Sequence, residues 1–331
     1  MARVYFVTNR NPNRKNDPDD FGTSFSSRDL HDLRFGRAEI AREGDAQRVA
    51  AIEVASERLS LDPARARLGS NALFLDLRQQ MLDGVDTIAF VHGYNVSFHE
   101  ALCSGARIVE EYGGDRPVNV VVFSWPSDGS MLPFLAYKSD RSDARASGPA
   151  LARLVFRVHE FFSKIRRGEE CNAKLHLIAH SMGNYVLRNA LNEMQVLASA
   201  LPVIFDQIFL MAADEDHDAF EHEHKLASLP ELAIGVNVYF NTGDTAMVVS
   251  DRTKLNPTRL GRRGPRLPLA VPGNVTIVDV SDVVGGIVEH SYFVDDPATV
   301  RDVRAVLRGE SADRIAGRRY LPSQNRYVIG G

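Results

Sequence analysis

The residues best placed to do chemistry lie in Leu175-His176-Leu177-Ile178-Ala179-His180-Ser181-Met182-Gly183-Asn184. A strand-like run precedes the serine. A helix-like run with Val186, Leu187, Ala190 and Leu191 on one face follows it. Passing from strand to helix in so few residues takes a strained turn, with small residues two positions either side of its apex. Gly183 meets that need on one side, and Ala179 stands where glycine is usual on the other. A serine hydroxyl is a weak nucleophile, and such an apex exposes it to an imidazole that can take its proton. The amide of Met182, at the helix start, is then an oxyanion donor. The same five residues also describe an ordinary N-cap serine, so the assignment depends on partners elsewhere in the chain.

Beyond Ser181 the histidines are His217, His222, His224 and His290. When a serine occupies such an elbow, the acid and then the base follow it in chain order. His290 comes after the last predicted strand, Val275–Val280, and ahead of a C-terminal helix, which makes it the candidate base. Asp244 ends the turn Asn241-Thr242-Gly243-Asp244 after the predicted strand Val236–Phe240. Asp214 and Asp216 follow the preceding strand, Gln207–Met211, in similar positions. Strand carboxyl ends are where such sheets collect functional groups. Asp244 is favoured because its strand immediately precedes the one leading to His290, with Asp214 and Asp216 as alternatives. Upstream, the strand 87–91 ends in His92-Gly93-Tyr94-Asn95. The second oxyanion amide is assigned to Tyr94, with Asn95 as its neighbouring alternative; Gly93 allows close backbone approach. Candidate pocket residues are His92, Gly93, Asn95, His180 and the only tryptophan, Trp125, for which core packing is an equal reading.

Asp214-Glu215-Asp216-His217-Asp218-Ala219-Phe220-Glu221-His222-Glu223-His224 mixes residue types that also bind metals. It lacks a recognised zinc spacing such as His-Glu-x-x-His, so it is read as a solvated loop or helix start, with metal binding as a minor alternative. No metal and no cofactor is expected.

The elements that must position these residues alternate strand and helix from residue 67 onward, which implies a mostly parallel, doubly wound α/β sheet with helices on both faces. Ser97 and Glu100 have capping-box spacing, and Gly113-Gly114 ends the helix they begin. Val118–Phe123 reads as a central strand. Pro149 stands where a helix carrying Leu151, Leu154, Val155 and Val158 could begin. Residues 1–66 open with one strand and then turn polar. Asn9–Arg14 and Asp17–Asp20 are turn clusters, so this part reads as an N-terminal elaboration of a single domain spanning 1–331. Residues 246–273 form a long polar excursion with Arg252, Lys254, Arg259, Arg262, Arg263 and Arg266. It is either a cap that favours anionic or polar substrates, or a solvated basic loop.

With 331 residues, 44% hydrophobic and 25% charged, the composition is that of an ordinary globular chain. A net charge of −4 argues against a general nucleic-acid surface. No apolar run approaches the roughly 20 residues of a membrane span, and the start lacks signal-peptide character. Cys103 and Cys171 read as reduced thiols, so a cytoplasmic protein is expected.

The ordered set Thr8-Asn9-Arg10, Phe90-Val91-His92-Gly93-Tyr94-Asn95, Phe123-Ser124-Trp125-Pro126-Ser127, the elbow, and His290-Ser291-Tyr292-Phe293 resembles a largely bacterial α/β-hydrolase family. That family is known as a domain of unknown function, the nine-hundred family. The resemblance implies the α/β-hydrolase fold, with Ser181, Asp244 and His290 in the triad positions. The expected activity is hydrolysis of a small-molecule ester or thioester through an acyl-enzyme. The competing expectation is a non-catalytic binding or scaffold protein that keeps the fold.

Overall fold

The computed structural model describes residues 1–14, 17–25, 32–44, 46–55, 69–114, 116–127, 133–166, 171–245, 258–285 and 290–330. The chain divides into two compact units, Met1–Leu175 and His176–Gly331. In chain order the first contains β1 (Ala2–Thr8), β2 (Arg10–Arg14), β3 (Asp17–Phe25), β4 (Arg34–Glu43) and β5 (Ala46–Val54). Then follow α1 (Gly69–Leu82), β6 (Asp86–Val91), α2 (Phe98–Gly113), β7 (Val118–Ser124) and α3 (Pro133–Arg166). β6, β7 and β1 are parallel neighbours, and β4 and β5 continue from β1 antiparallel. Val120, Val122, Phe90 and Phe6 are wholly or almost wholly buried, as apolar strand runs require. The capping box of α2 forms as expected, since Ser97 accepts from the Glu100 amide and Glu100 from the Ser97 amide. Gly105 lets α2 lie close on the sheet: a Cβ there would stand 2.6 Å from Val122 and 2.9 Å from Val4.

Three expectations fail in this unit. Residues 1–66 were expected to hold one strand, yet β1 to β5 lie there, with β4 and β5 paired on to β1. The stretches at Asn9–Arg14 and Asp17–Asp20 were expected to be unable to sustain strand, yet β2 and β3 pair antiparallel, with register irregularities around Pro12. Those irregularities accommodate a residue with no amide hydrogen. Phe21 on β3 anchors the hairpin by packing against Phe6 (ring centroids 6.1 Å) and Phe98 (4.8 Å). Cross-strand pairing and burial outweigh local turn preference. The helix expected to begin at Pro149 instead begins at Pro133 and carries Pro149 in its interior. Buried Tyr137, Asp140, Ala144 and Ser147 recur along one face before the proline. Their packing offsets the hydrogen bond that Pro149 cannot donate.

The second unit opens with β8 (Leu175–His180), followed by α4 (Gly183–Leu197), β9 (Phe205–Met211), β10 (Ala233–Phe240) and α5 (Leu260–Arg263). β11 (Val275–Asp279), α6 (Tyr292–Asp295), α7 (Pro297–Leu307), β12 (Arg318–Leu321) and β13 (Arg326–Ile329) complete it. β8, β9, β10, β11 and β13 are parallel in that order, and β12 closes the edge antiparallel to β13. The expected strands and the buried face of α4 appear within a few residues of their predicted bounds. β12 and β13 were not foreseen, because Arg318, Arg319 and Arg326 interrupt their alternation. Cys103 and Cys171 are free thiols. Among the described residues no helix is long and apolar enough to cross a membrane.

Candidate active site

Ser181 stands between β8 and α4 with φ +52°, a left-handed conformation that costs an L-residue about 1–2 kcal/mol. The surrounding backbone holds it there. Ser181 N–H donates to the Met211 carbonyl (3.0 Å), and the Ser181 carbonyl accepts from the amides of Asp214 (3.1 Å) and Asn184 (3.1 Å). Asn184 Nδ2 adds bonds to the carbonyls of Ala179 (2.9 Å) and Ser181 (3.1 Å). The N-cap of α4 is Met182, so the alternative of an ordinary N-cap serine does not describe Ser181. Strain kept at one serine by this many bonds is what a nucleophile elbow requires.

Downstream of β10, Asn241 makes an Asx turn, its Oδ1 accepting from the Gly243 amide at 2.9 Å. Asp244 N–H donates to the Asn241 carbonyl at 3.2 Å, and Thr242 N–H donates to Ser281 Oγ beyond β11 at 2.9 Å. So held, Asp244 is wholly buried. Its Oδ2 lies 2.8 Å from His290 Nδ1, although the two residues are 46 apart in sequence. A carboxylate can only accept, so Nδ1 carries the hydrogen and Nε2 is the ring nitrogen left to act as a general base. Two residues on, the buried Tyr292 hydroxyl donates to the Tyr239 carbonyl (2.9 Å) and accepts from the Ala212 amide (2.8 Å). This fastens the chain carrying His290 to the ends of β9 and β10.

Asp214 and Asp216, the alternative acids, lie in different company. Arg259 is wholly buried, with Nε 3.4 Å from Asp214 and Nη1 2.5 Å from Asp216. Lys225 Nζ bridges Asp216 (3.1 Å) and Asp218 (2.5 Å), and Arg188 reaches buried Glu215 at 3.2 Å. The expectation of a solvated acidic loop is therefore overturned: most of these carboxylates are buried, and cations from nearby Lys225 and from the more distant Arg188 and Arg259 make that burial tolerable. His222 pairs with Asp218 at 3.2 Å, and His217 Nδ1 lies 3.2 Å from the Thr258 carbonyl. The rings of His222 and His224 lie against each other, with centroids 5.5 Å apart.

In the excursion, residues 246–257, including Arg252 and Lys254, lie outside the described residues. Arg259, read as part of a basic surface, is instead the buried partner of two aspartates. Gly261 follows it, and a Cβ there would stand 2.3 Å from the backbone of Ala212 and Ala213. Only glycine fits that crossing, where Gly261 N–H donates to the Ala213 carbonyl at 2.9 Å. Arg262 approaches the Thr242 carbonyl at 3.4 Å, and Arg266 pairs with Glu221.

In the first unit Trp125 is wholly buried and stacks on His92, with ring planes 6° apart and centroids 5.2 Å apart. Its Nε1 donates to the His92 carbonyl (2.9 Å), and its backbone amide to His92 Nε2 (3.2 Å). His92 Nδ1 then donates to the Gly93 carbonyl at 2.9 Å, which fixes a single neutral tautomer. Asn95 adopts φ +58°, and its amide donates to buried Asp140 at 3.1 Å. Burial, and then the charge of Asp140, raise the Tyr94 phenol above its ordinary range. Sequence reasoning gave no role to Asp140, or to Arg10 beyond its motif. Buried Arg10 donates to Ser124 Oγ (2.9 Å) and to the carbonyls of Gly22 (3.0 Å) and Val96 (2.7 Å). Its place in Thr8-Asn9-Arg10 was the signal that could have found it.

A family model described as an alpha/beta hydrolase of unknown function (DUF900) matches residues 73–309. An uncharacterized protein, alr1448, from a Nostoc strain is 31% identical over 126 residues. That match covers 31% of this chain and 30% of the relative, so the chain spans under a third of the relative's length. Among solved structures, an acetylxylan esterase covers 68% of this chain and 98% of its own, at 10% identity and a TM-score of 0.36.

Proposed function

Because the chain belongs to the alpha/beta-hydrolase family of unknown function DUF900, we propose that it is a serine hydrolase cleaving a small-molecule ester or thioester. Ser181 Oγ attacks the carbonyl carbon while His290 Nε2 takes its proton. Asp244, accepting from Nδ1, orients the ring and stabilises the imidazolium. The tetrahedral intermediate collapses by expelling the alcohol or thiol, protonated by His290, and leaves an acyl-enzyme on Ser181. Water, deprotonated by the same imidazole, then releases the acid. The Met182 amide at the start of α4 is one oxyanion donor.

The observation that carries this reading is the 2.8 Å bond from His290 Nδ1 to Asp244, made in the unit that also holds Ser181 at φ +52°. A fluorophosphonate probe tests it. Wild-type protein should be labelled at Ser181, and Ser181→Ala and His290→Ala should not. Turnover of a short p-nitrophenyl ester should fall by about 10⁴-fold or more in either variant, because such residues act as a unit. A folded wild type that neither labels nor turns over would favour a non-catalytic binding protein.

A further inference from the structure

His180 immediately precedes the elbow serine, at the end of β8. Its Nε2 lies 3.0 Å from the main-chain carbonyl oxygen of His290. Its ring lies against the His290 ring (centroids 4.8 Å, planes 52° apart) and against Phe293 (4.8 Å, 37°). A carbonyl oxygen only accepts, so Nε2 must carry the hydrogen. We infer that His180 is a positioning residue for the base: it ties the His290 main chain to the elbow that carries Ser181, so that nucleophile and base are set by one hydrogen bond.

This inference rests on the hydrolase reading and adds to it. Asp244 fixes how the His290 ring is turned, but a ring turned correctly on a displaced backbone would still miss the serine. Tyr292 fastens the chain two residues on; the bond from His180 adds a direct constraint, because its donor is adjacent in the chain to Ser181 and its acceptor belongs to His290 itself. Phe293, on α6, closes the other side of the His180 ring and favours the orientation that makes the bond. The electrostatics agree. Burial, and then the neighbouring charge of His290, lower the His180 imidazolium to about 3, so His180 is neutral at physiological pH. A charged His180 would oppose the positive charge that His290 acquires when it takes the serine proton. Neutral, it can hold His290 without that opposition.

His180→Phe keeps the ring packing and removes the donor. His180→Gln carries an amide nitrogen at roughly the place of the imidazole Nε2. With a p-nitrophenyl ester, His180→Phe should lose about 10- to 100-fold in kcat, the scale of a small misplacement of reacting groups, with KM changed less than about threefold. His180→Gln should recover to within about threefold of wild type. Fluorophosphonate labelling rates should follow kcat. An active wild type whose His180→Phe variant keeps full kcat would overturn this inference and leave the hydrolase reading intact. An unlabelled, inactive wild type would overturn the hydrolase reading. A measurement on wild-type protein does not depend on how the variants fold: imidazole ¹H–¹⁵N spectra should show His180 as the Nε2–H tautomer from about pH 8 to about pH 5. The Nδ1–H tautomer, or titration within that range, would overturn the inference.

Discussion

Two loops follow neighbouring parallel strands in the second unit, and both bring aspartates near histidines, yet they have been put to different uses. After β9, Asp214, Asp216 and Asp218 meet Arg259 and Lys225, and the outcome is a buried network of fixed charges. After β10, Asp244 meets the imidazole of His290 at 2.8 Å. A guanidinium, which keeps its charge, can anchor a loop but cannot shuttle a proton. An imidazole can be charged and discharged within a turnover, and a buried carboxylate beside it makes the charged form accessible. What separates a structural aspartate from a catalytic candidate is therefore its partner, more than its own burial, since Asp214 and Asp244 are both buried.

The most direct way to break this comparison is to neutralise one aspartate in each loop. Asp244→Asn should lower kcat by about 10³- to 10⁴-fold, because the amide favours the wrong tautomer of His290. Asp214→Asn should keep kcat within about threefold of wild type. Steady-state turnover of both variants checks this, and equal losses would mean the two loops share the work. Arg259 sharpens the other half. Its removal leaves the buried Asp214 and the partly buried Asp216 without their guanidinium, so Arg259→Met should cost about 3–5 kcal/mol in urea unfolding. Because Ser181 also bonds to the backbone of residues 211 and 214, labelling of the remaining folded fraction would show whether that anchoring reaches the elbow.

How far the sequence revealed these differences follows from the range of the forces involved. The elbow, the α2 capping box and the parallel strands were legible because each depends on residues a few positions apart. Asp244 and His290 were ordered by strand succession, a rule of chain topology. The charge network was not legible, because Arg259 sits among arginines that look like surface and its partners lie over forty residues upstream. Arg10 was hidden in the same way, its acceptors coming from Gly22 on β3, Val96 after β6 and Ser124 at the end of β7. The β2–β3 hairpin was missed because Asn and Pro read as turn residues until Phe21 finds Phe6 and Phe98. The Tyr292 hydroxyl bridges two strand ends, and no spacing rule anticipates that.

The smallest effects distinguish the buried part of the network from its rim. Burial alone would raise the Asp218 carboxyl, but Lys225 and then His222 outweigh it and hold the group below its ordinary value of 3.8. The folded state therefore releases this proton more readily than the unfolded chain does. The resulting stability is present above about pH 4 and is lost as pH falls through the folded-state value. Asp218→Asn should accordingly flatten the acid limb of a urea-midpoint profile below about pH 4. At the rim, Arg266 holds Glu221 with a side chain that is about half exposed. Water and salt screen such a pair, so Arg266→Ala should barely move the urea midpoint, and should move it still less in 1 M salt. If both substitutions gave the same salt-sensitive loss, Asp218 would belong with the rim. If Asp218→Asn alone changed the acid limb and resisted salt, the fixed network would extend from Arg259 through Lys225 to Asp218, and the boundary between structural and surface charge would fall between Asp218 and Glu221.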